Sequence, residues 1–122
     1  MTHDEFNQYC QSYTGTTYVM QWGNSHIWKV GEKVFAIGTT DNDGLPAYTF
    51  KTSDLNYDFL KQSEGYRPAP YLASRGLKWI QQTASNAERD EELRYYLSES
   101  YRLVSLGLTK KKQKALGVNQ DV

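Results

Sequence analysis

The sequence predicts an α+β domain, in which an antiparallel sheet of about five strands packs in two layers against N-terminal and C-terminal helices. Apolar residues recur at helical spacing near both ends of the chain, and the segment between them alternates apolar and polar residues between turn signals. The length of 122 residues is that of one domain. We therefore place a single domain over residues 1–118 and expect a frayed tail at 119–122.

The first helix begins at a capping box formed by Thr2 and Glu5, whose side chains each bind an otherwise unpaired backbone N–H group. Apolar residues then recur at positions i, i+3, i+4 and i+7, which places them on one face of the helix, and Gly15 ends the segment. That face consists of Phe6, Tyr9, Cys10 and Tyr13.

Four strands are predicted next, as an antiparallel meander over residues 18–22, 27–30, 33–40 and 47–51. Gly23-Asn24 is a turn signal, and Gly31-Glu32 suits a type II′ hairpin because glycine tolerates the positive φ that its first position needs. The run Val34–Ile37 is apolar on both faces, which places it centrally in the sheet.

The second half of the chain adds a helix, a strand and two further helices. Ser53 or Asp54 caps a helix that carries Leu55, Phe59 and Leu60 inward. A loop is predicted over residues 66–70, and residues 77–83 form either a fifth strand or a short turn followed by a strand. A capping box at Ser85 and Glu88 starts the long helix, and residues 109–116 form a short basic helix. The long helix presents one face of Leu93, Tyr96, Leu97, Ser100, Tyr101, Val104 and Leu108, and the predicted core includes Trp22, Phe35, Trp79, Leu97 and Tyr101.

Charge is balanced overall but uneven along the chain, with 14 basic and 14 acidic residues in total. Residues 1–66 carry four Lys/Arg and eight Asp/Glu, a net charge of −4, whereas residues 67–122 carry ten and six, a net of +4. This asymmetry fits either a polarised domain or ordinary scatter over a folded surface.

One cysteine, an acidic N-terminus and the lack of a long apolar run predict a protein of the reducing cytoplasm that does not enter membranes. Cys10 cannot form an internal disulfide, and we expect it to be a small buried apolar residue. The two histidines, His3 and His26, are far apart in sequence, and we expect both to be exposed to solvent.

The sequence predicts no catalytic residues, no metal ligands and no cofactor. Nucleophile elbows, phosphate-binding glycine loops and paired histidine ligands are missing from the sequence. Asp41-Asn42-Asp43-Gly44 lacks the ligand spacing of a calcium loop and is predicted to form a turn. An enzyme is therefore the least favoured class.

Cations interleaved with aromatic residues form the strongest candidate for a binding site, because such side chains contact phosphates and stack on bases. The same residues also fit a solvated rim around core aromatics, and the lysines fit a solvated helix end. The candidate nucleic-acid-binding residues are Arg67, Tyr71, Arg75 and Lys78, together with Lys110, Lys111 and Lys112.

The assembled pattern resembles the MmcQ/YjbR family over almost the whole chain. The resemblance rests on the order and spacing of Trp22-Gly23, Lys29 to Ala36, Phe50-Lys51-Thr52, Arg67 to Leu72, Lys78-Trp79, Ser100-Tyr101 and Leu103-Val104. It implies a compact α+β domain similar to the CyaY (frataxin-like) fold, and it implies DNA binding through a predicted "double-wing" motif. The family has no agreed catalytic residues that would be carried over.

Two functions follow as hypotheses. The first is a non-enzymatic module that binds DNA weakly and with little sequence preference. The neutral net charge counts against it, since DNA-binding domains are usually basic. The second is a module that binds a protein or a small ligand with the sheet face or the aromatic rim. A positive face free of acidic residues would favour DNA, and interspersed acidic residues would favour the second hypothesis.

Overall fold

Six strands form one antiparallel sheet in a computed structural model that describes residues 1–120. The strands are β1 (Thr16–Gln21), β2 (Ser25–Val30), β3 (Lys33–Thr40), β4 (Pro46–Lys51), β5 (Tyr66–Pro68) and β6 (Trp79–Gln82). Their order across the sheet is β1-β2-β3-β4-β6-β5. The helices are α1 (His3–Gln11), α2 (Asp54–Leu60), α3 (Asp90–Leu106) and α4 (Lys110–Leu116). The predicted α+β class and the four-strand meander are confirmed.

A sixth strand is the main addition to the prediction. We expected residues 66–70 to form a loop, but Tyr66 pairs with Gln82 and Pro68 pairs with Ile80. β5 has three residues and ends in a proline, so it shows neither alternation nor strand propensity in the sequence. Its place at the sheet edge explains why a proline, which cannot donate a backbone hydrogen bond, is tolerated there.

The β2–β3 hairpin differs from the prediction in its turn. Gly31 and Glu32 both have positive φ, +56° and +71°, which is the geometry of a type I′ turn rather than type II′. A register shift after Trp28 then leaves Phe35 as an extra residue on β3. This bulge turns the Phe35 ring into the core, where it is fully buried.

The core lies between the sheet and helices α1 and α3. Phe6 of α1 stacks on Tyr48 of β4 with ring centroids 4.6 Å apart. Gly38 of β3 permits this packing, because a Cβ atom there would lie 2.9 Å from Phe6 Cε2. The predicted burial of Phe35 and Leu97 is confirmed, whereas Trp79 and Tyr101 are half-buried.

Two helix details correct the predictions. The inward orientation of Leu55 and Phe59 is wrong, since these side chains are exposed and only Leu60 of the three is buried. Leu60 and half-buried Tyr57 pack against the core, and the spacing of 3.6 residues per turn places Leu55 and Phe59 on the opposite side of α2. The helix begins with Ser53 as its N-cap.

The capping box predicted at Ser85 and Glu88 is also wrong. The Ser85 hydroxyl donates to Gln82 Oε1 over 2.7 Å, and the side chain of Asn86 accepts from the backbone N–H of Glu88 instead. A short 3₁₀ turn, Ala87–Arg89, therefore precedes α3.

The expected tail begins where the description of the chain ends. The Asn119 side chain donates to Ser105 Oγ and Gln113 Oε1, and residues 121–122 lie outside the described part. Fraying of residues 119–122 stays a prediction. None of the helices within residues 1–120 is long and apolar enough to cross a membrane.

Candidate functional site

The candidate site lies on the face of the sheet that points away from α1 and α3, and we call this face the open face. Strand register places a row of side chains across it, because directly paired residues point to the same side. Pairing runs from Val19 through Ile27, Ile37, Thr49 and Gln81 to Arg67.

A groove of about 410 Å³ lies over this row. Its floor is formed by strand residues, and its rims are the β1–β2 turn on one side and the segment after β5 on the other. The volume falls in the range of roughly 300–1,000 Å³ that is usual for ligand sites. The lining residues are Trp22, Ser25, Ile37, Thr39, Thr49, Pro70, Tyr71, Leu72 and Gln81.

Two exposed aromatic residues stand on the two rims. Trp22 is 66% exposed and Tyr71 is 87% exposed. Both have positive φ, +51° and +68°, which is uncommon for bulky residues. Such backbone conformations persist where the surrounding structure holds them and cluster at binding sites.

The prediction that Trp22 is a core residue is therefore wrong. The three residues between Gln21 and Ser25 all have positive φ, so the chain turns sharply there. Trp22 therefore does not follow the alternation of inward and outward side chains along β1. The Ser25 hydroxyl donates to the carbonyl oxygen of Trp22 over 2.9 Å and fixes the turn.

The polar part of the groove floor is internally hydrogen-bonded. Arg67 Nε donates to Gln81 Oε1 over 2.8 Å, and Gln81 Nε2 lies 3.3 Å from Thr49 Oγ1 as donor. Gln81 and Thr49 are buried, whereas Arg67 is exposed. The chain of bonds therefore orients one guanidinium group at the edge of the groove.

Positive charge on the open face is not offset within the strands, since none of the six strands contains Asp or Glu. Lys29 and Lys51 lie two residues along their strands from Ile27 and Thr49, roughly 7 Å away. Lys51 is the last residue of β4 and also lines a second cavity, together with Leu103 and Val104 of α3. Within residues 1–120, Lys29, Lys51 and Arg67 take part in no ion pair. The acidic residues in the described part of the chain instead occupy helices, turns and loops, including Asp41 and Asp43 beyond the end of β3.

The residues predicted as a nucleic-acid site fall in two places. Arg67 and Tyr71 lie at the groove, and Arg75 and Lys78 are exposed on the segment that follows Tyr71. Lys78 Nζ lies 4.7 Å from the centroid of the Tyr57 ring, a cation–π contact with α2.

The lysine run lies on α4, beside the β2–β3 hairpin. Lys110 and Lys111 are exposed, and Lys112 Nζ lies 3.3 Å from Glu32 Oε2. Because α4 is not part of the groove, the candidate residues do not form one continuous cluster on the groove itself.

Sequence reasoning missed four residues of the open face: Trp22 and Gln81, which line the groove, and Lys29 and Lys51, which lie outside its lining. Lys29 and Lys51 occupy alternate strand positions next to Ile27 and Thr49, and the lack of acidic residues in every strand was visible in the sequence. Their common face depends on strand register, which the sequence alone does not specify.

The prediction that His3 and His26 are both exposed to solvent is wrong. His26 lies opposite Gly38 in the sheet and α1 packs above it, so that the His3 and His26 ring centroids are 4.7 Å apart and both residues are half-buried. Burial lowers the pKa of His26 below its ordinary value, and the neighbouring His3 acts in the same direction. Within residues 1–120 no three His, Cys, Asp or Glu side chains are grouped as a metal site.

Cys10 is buried in the core on α1, and burial raises the pKa of its thiol. A thiol reacts as its thiolate, so this environment suppresses its reactivity. The interpretation of Cys10 as a small core residue fits this position.

The fold and the open face define a two-layer α+β domain with one uncovered, cationic sheet face. The family model for YjbR matches residues 11–103, and the chain belongs to the YjbR family. No curated protein matches the sequence.

Two solved structures share the fold. A protein from Deinococcus radiodurans, described as a DUF419 domain, is 22% identical with a TM-score of 0.82, over 99% of this chain and 91% of that one. A structural-genomics protein from Pseudomonas syringae is 16% identical with a TM-score of 0.65, over 85% of this chain and 99% of that one. At these identities the likeness concerns the fold alone.

Proposed function

We propose that this protein is a non-enzymatic domain that binds DNA weakly, and with little sequence preference, through the open face of its sheet. The observation that supports this proposal is the set of unpaired cations Lys29, Lys51 and Arg67 on strands that contain no carboxylate. Phosphate contacts by Lys and Arg supply most non-specific affinity for DNA.

Weak binding follows from the small number of these cations. Three phosphate contacts give a slope of log affinity against log salt of about −2 to −3. The neutral net charge and the acidic residues in nearby loops, such as Asp41 and Asp43, oppose long-range attraction. Little sequence preference follows because Gln81 and Thr49 already use part of their hydrogen-bonding capacity on each other and on Arg67.

Fluorescence anisotropy with a labelled oligonucleotide at several salt concentrations tests the proposal. In the triple variant Lys29→Gln, Lys51→Gln, Arg67→Gln, we expect binding at low salt to be lost or the salt slope to approach zero. The matched control, Lys61→Gln, Arg94→Gln, Arg102→Gln, removes the same charge from α3 and from the C-cap of α2, and it is expected to keep the parent slope. Equal losses in both triples would contradict a site on the open face.

A second candidate function is the binding of a small apolar ligand, and the groove of about 410 Å³ with exposed Trp22 and Tyr71 favours it. A parent protein that fails to bind any oligonucleotide at the lowest salt would reject DNA and leave this candidate, or a protein partner, in front. A screen of small aromatic compounds by thermal shift would then be the direct measurement.

A further inference from the structure

We infer that the groove receives unpaired bases, so that the ligand of the open face is single-stranded rather than duplex DNA. This inference rests on the proposed function, because it specifies which form of DNA occupies the same surface. It follows from the position of the aromatic residues relative to the cations.

Trp22 and Tyr71 approach one cavity from two different connections of the chain. Trp22 lies in the β1–β2 turn and Tyr71 lies in the connection from β5 to β6, yet both line the same groove. Exposed aromatic rings on both rims offer stacking surfaces to flat groups. Every unpaired base has such a π face available, whereas the bases of a duplex are already stacked on one another.

The chemistry of the groove also separates bases from phosphates. Ile37 contributes an apolar floor, and Pro70 and Leu72 add apolar lining beside Tyr71. The outer surface of a duplex presents phosphates and sugars to such a groove, whereas an unpaired base presents a flat apolar face. Lys29 and Lys51 are not among the lining residues, and Arg67 Nε reaches only the edge of the floor through Gln81. This arrangement is complementary to a strand whose bases point inward and whose phosphates lie along the cationic margin.

Gln81 limits how a base would be recognised. Its Oε1 accepts from Arg67 and one Nε2–H is directed at Thr49 Oγ1, so that one N–H and one lone pair of Oε1 are left. Every unpaired base carries both donor and acceptor atoms, so these two sites exclude none of the four bases. The groove is therefore expected to tolerate different sequences.

Anisotropy measured at one low salt concentration, with a 12-nucleotide oligothymidine and with a 12-base-pair duplex, tests this inference. We expect the single strand to bind at least about 10-fold more tightly than the duplex. Trp22→Ala and Tyr71→Ala are each expected to weaken single-strand binding by about 5-fold to 100-fold, the loss typical of one stacked base. The salt slope should not change, since no cation is removed.

Two variants control for other effects. Phe59→Ala removes a side chain that is 66% exposed, like Trp22, but lies on α2 outside the groove, and it should leave binding unchanged. Tyr71→Phe keeps the ring and should bind like the parent. Circular dichroism melting confirms that each variant is folded.

Each outcome separates the two proposals. Equal or tighter binding of the duplex, or unchanged single-strand affinity in both alanine variants, overturns the base-binding inference while DNA binding stands. Failure of both oligonucleotides to bind at low salt rejects DNA binding itself, and the inference with it.

Discussion

Ser100 is a single buried hydroxyl that joins the long helix to two strands. Its Oγ donates to the carbonyl oxygen of Phe35 over 2.6 Å and accepts from the backbone N–H of Lys51 over 2.8 Å. Phe35 is the bulged residue of β3, so its carbonyl lies outside the regular ladder, and Lys51 ends β4. The Ser100 hydroxyl thus satisfies one buried and one part-buried backbone group and fixes the backbone of Lys51.

Replacing Ser100 by alanine leaves both backbone groups without this partner. An unsatisfied buried polar group costs about 1–3 kcal/mol, so we expect a loss of about 2–4 kcal/mol in the free energy of unfolding. Urea denaturation measures it. Ser98→Ala is the control at a half-buried position of the same helix that takes no part in these two hydrogen bonds, and its loss is expected to stay below about 1 kcal/mol. A similarly small loss for Ser100→Ala would show that the two hydrogen bonds contribute little.

The β2–β3 hairpin is the element that positions α4. The tight turn needs positive φ at Gly31, and the absence of a side chain there lets Leu108 and Leu116 approach. A Cβ atom at Gly31 would lie 2.6 Å from Leu108 Cδ1 and 3.2 Å from Leu116 Cδ1. The requirement for glycine is therefore both conformational and steric.

The pair Gly31→Ala and Gly44→Ala separates these two requirements. Gly44 also has positive φ, +80°, but nothing lies within 4 Å of a Cβ atom there. Gly44→Ala should cost about 1–2 kcal/mol from backbone strain alone. Gly31→Ala should cost about 2–4 kcal/mol, because overpacking adds to the strain. Thermal or urea unfolding measures both, and equal losses would mean that the leucine side chains move aside freely.

Across residues 1–120, acidic residues lie on helices, turns and loops, while the strands carry only cations among their charged residues. The net charge of the protein is zero, but the charged residues on the open face of the sheet are all positive. Binding to phosphate depends on the charges near the contact, because solvent ions screen charges more than about 10 Å away at 0.1 M salt. A neutral chain and a cationic binding face are compatible for this reason.

Local signals in the sequence were sufficient for most of the fold. The capping box at Thr2, the alternation in the meander and the apolar face of α3 each depend on neighbouring residues, and all three occur in the structure. One feature, the strand β5, depends on distant pairing instead. The three residues of β5 form a strand because they pair with β6. A segment this short shows no strand pattern in the sequence.

The candidate site was predicted in part. Arg67 and Tyr71 were recognised from their composition, because cations next to aromatic residues form a local pattern. Trp22 was assigned to the core since large apolar side chains are usually buried, but the turn at Gly23-Asn24 carries it to the rim. Lys29 and Lys51 share a face with Gln81 only through strand register, which a local pattern does not contain.

The most direct test of the central claim is a map of backbone amide NMR shifts during titration with a single-stranded oligonucleotide at low salt. Binding through the open face predicts that the largest changes occur at the groove residues Ser25, Ile37, Thr49, Tyr71 and Gln81, with little change along α1 and α3. Changes concentrated on Lys110–Leu116 of α4, or on the helix side of the sheet, would contradict a binding site on the open face.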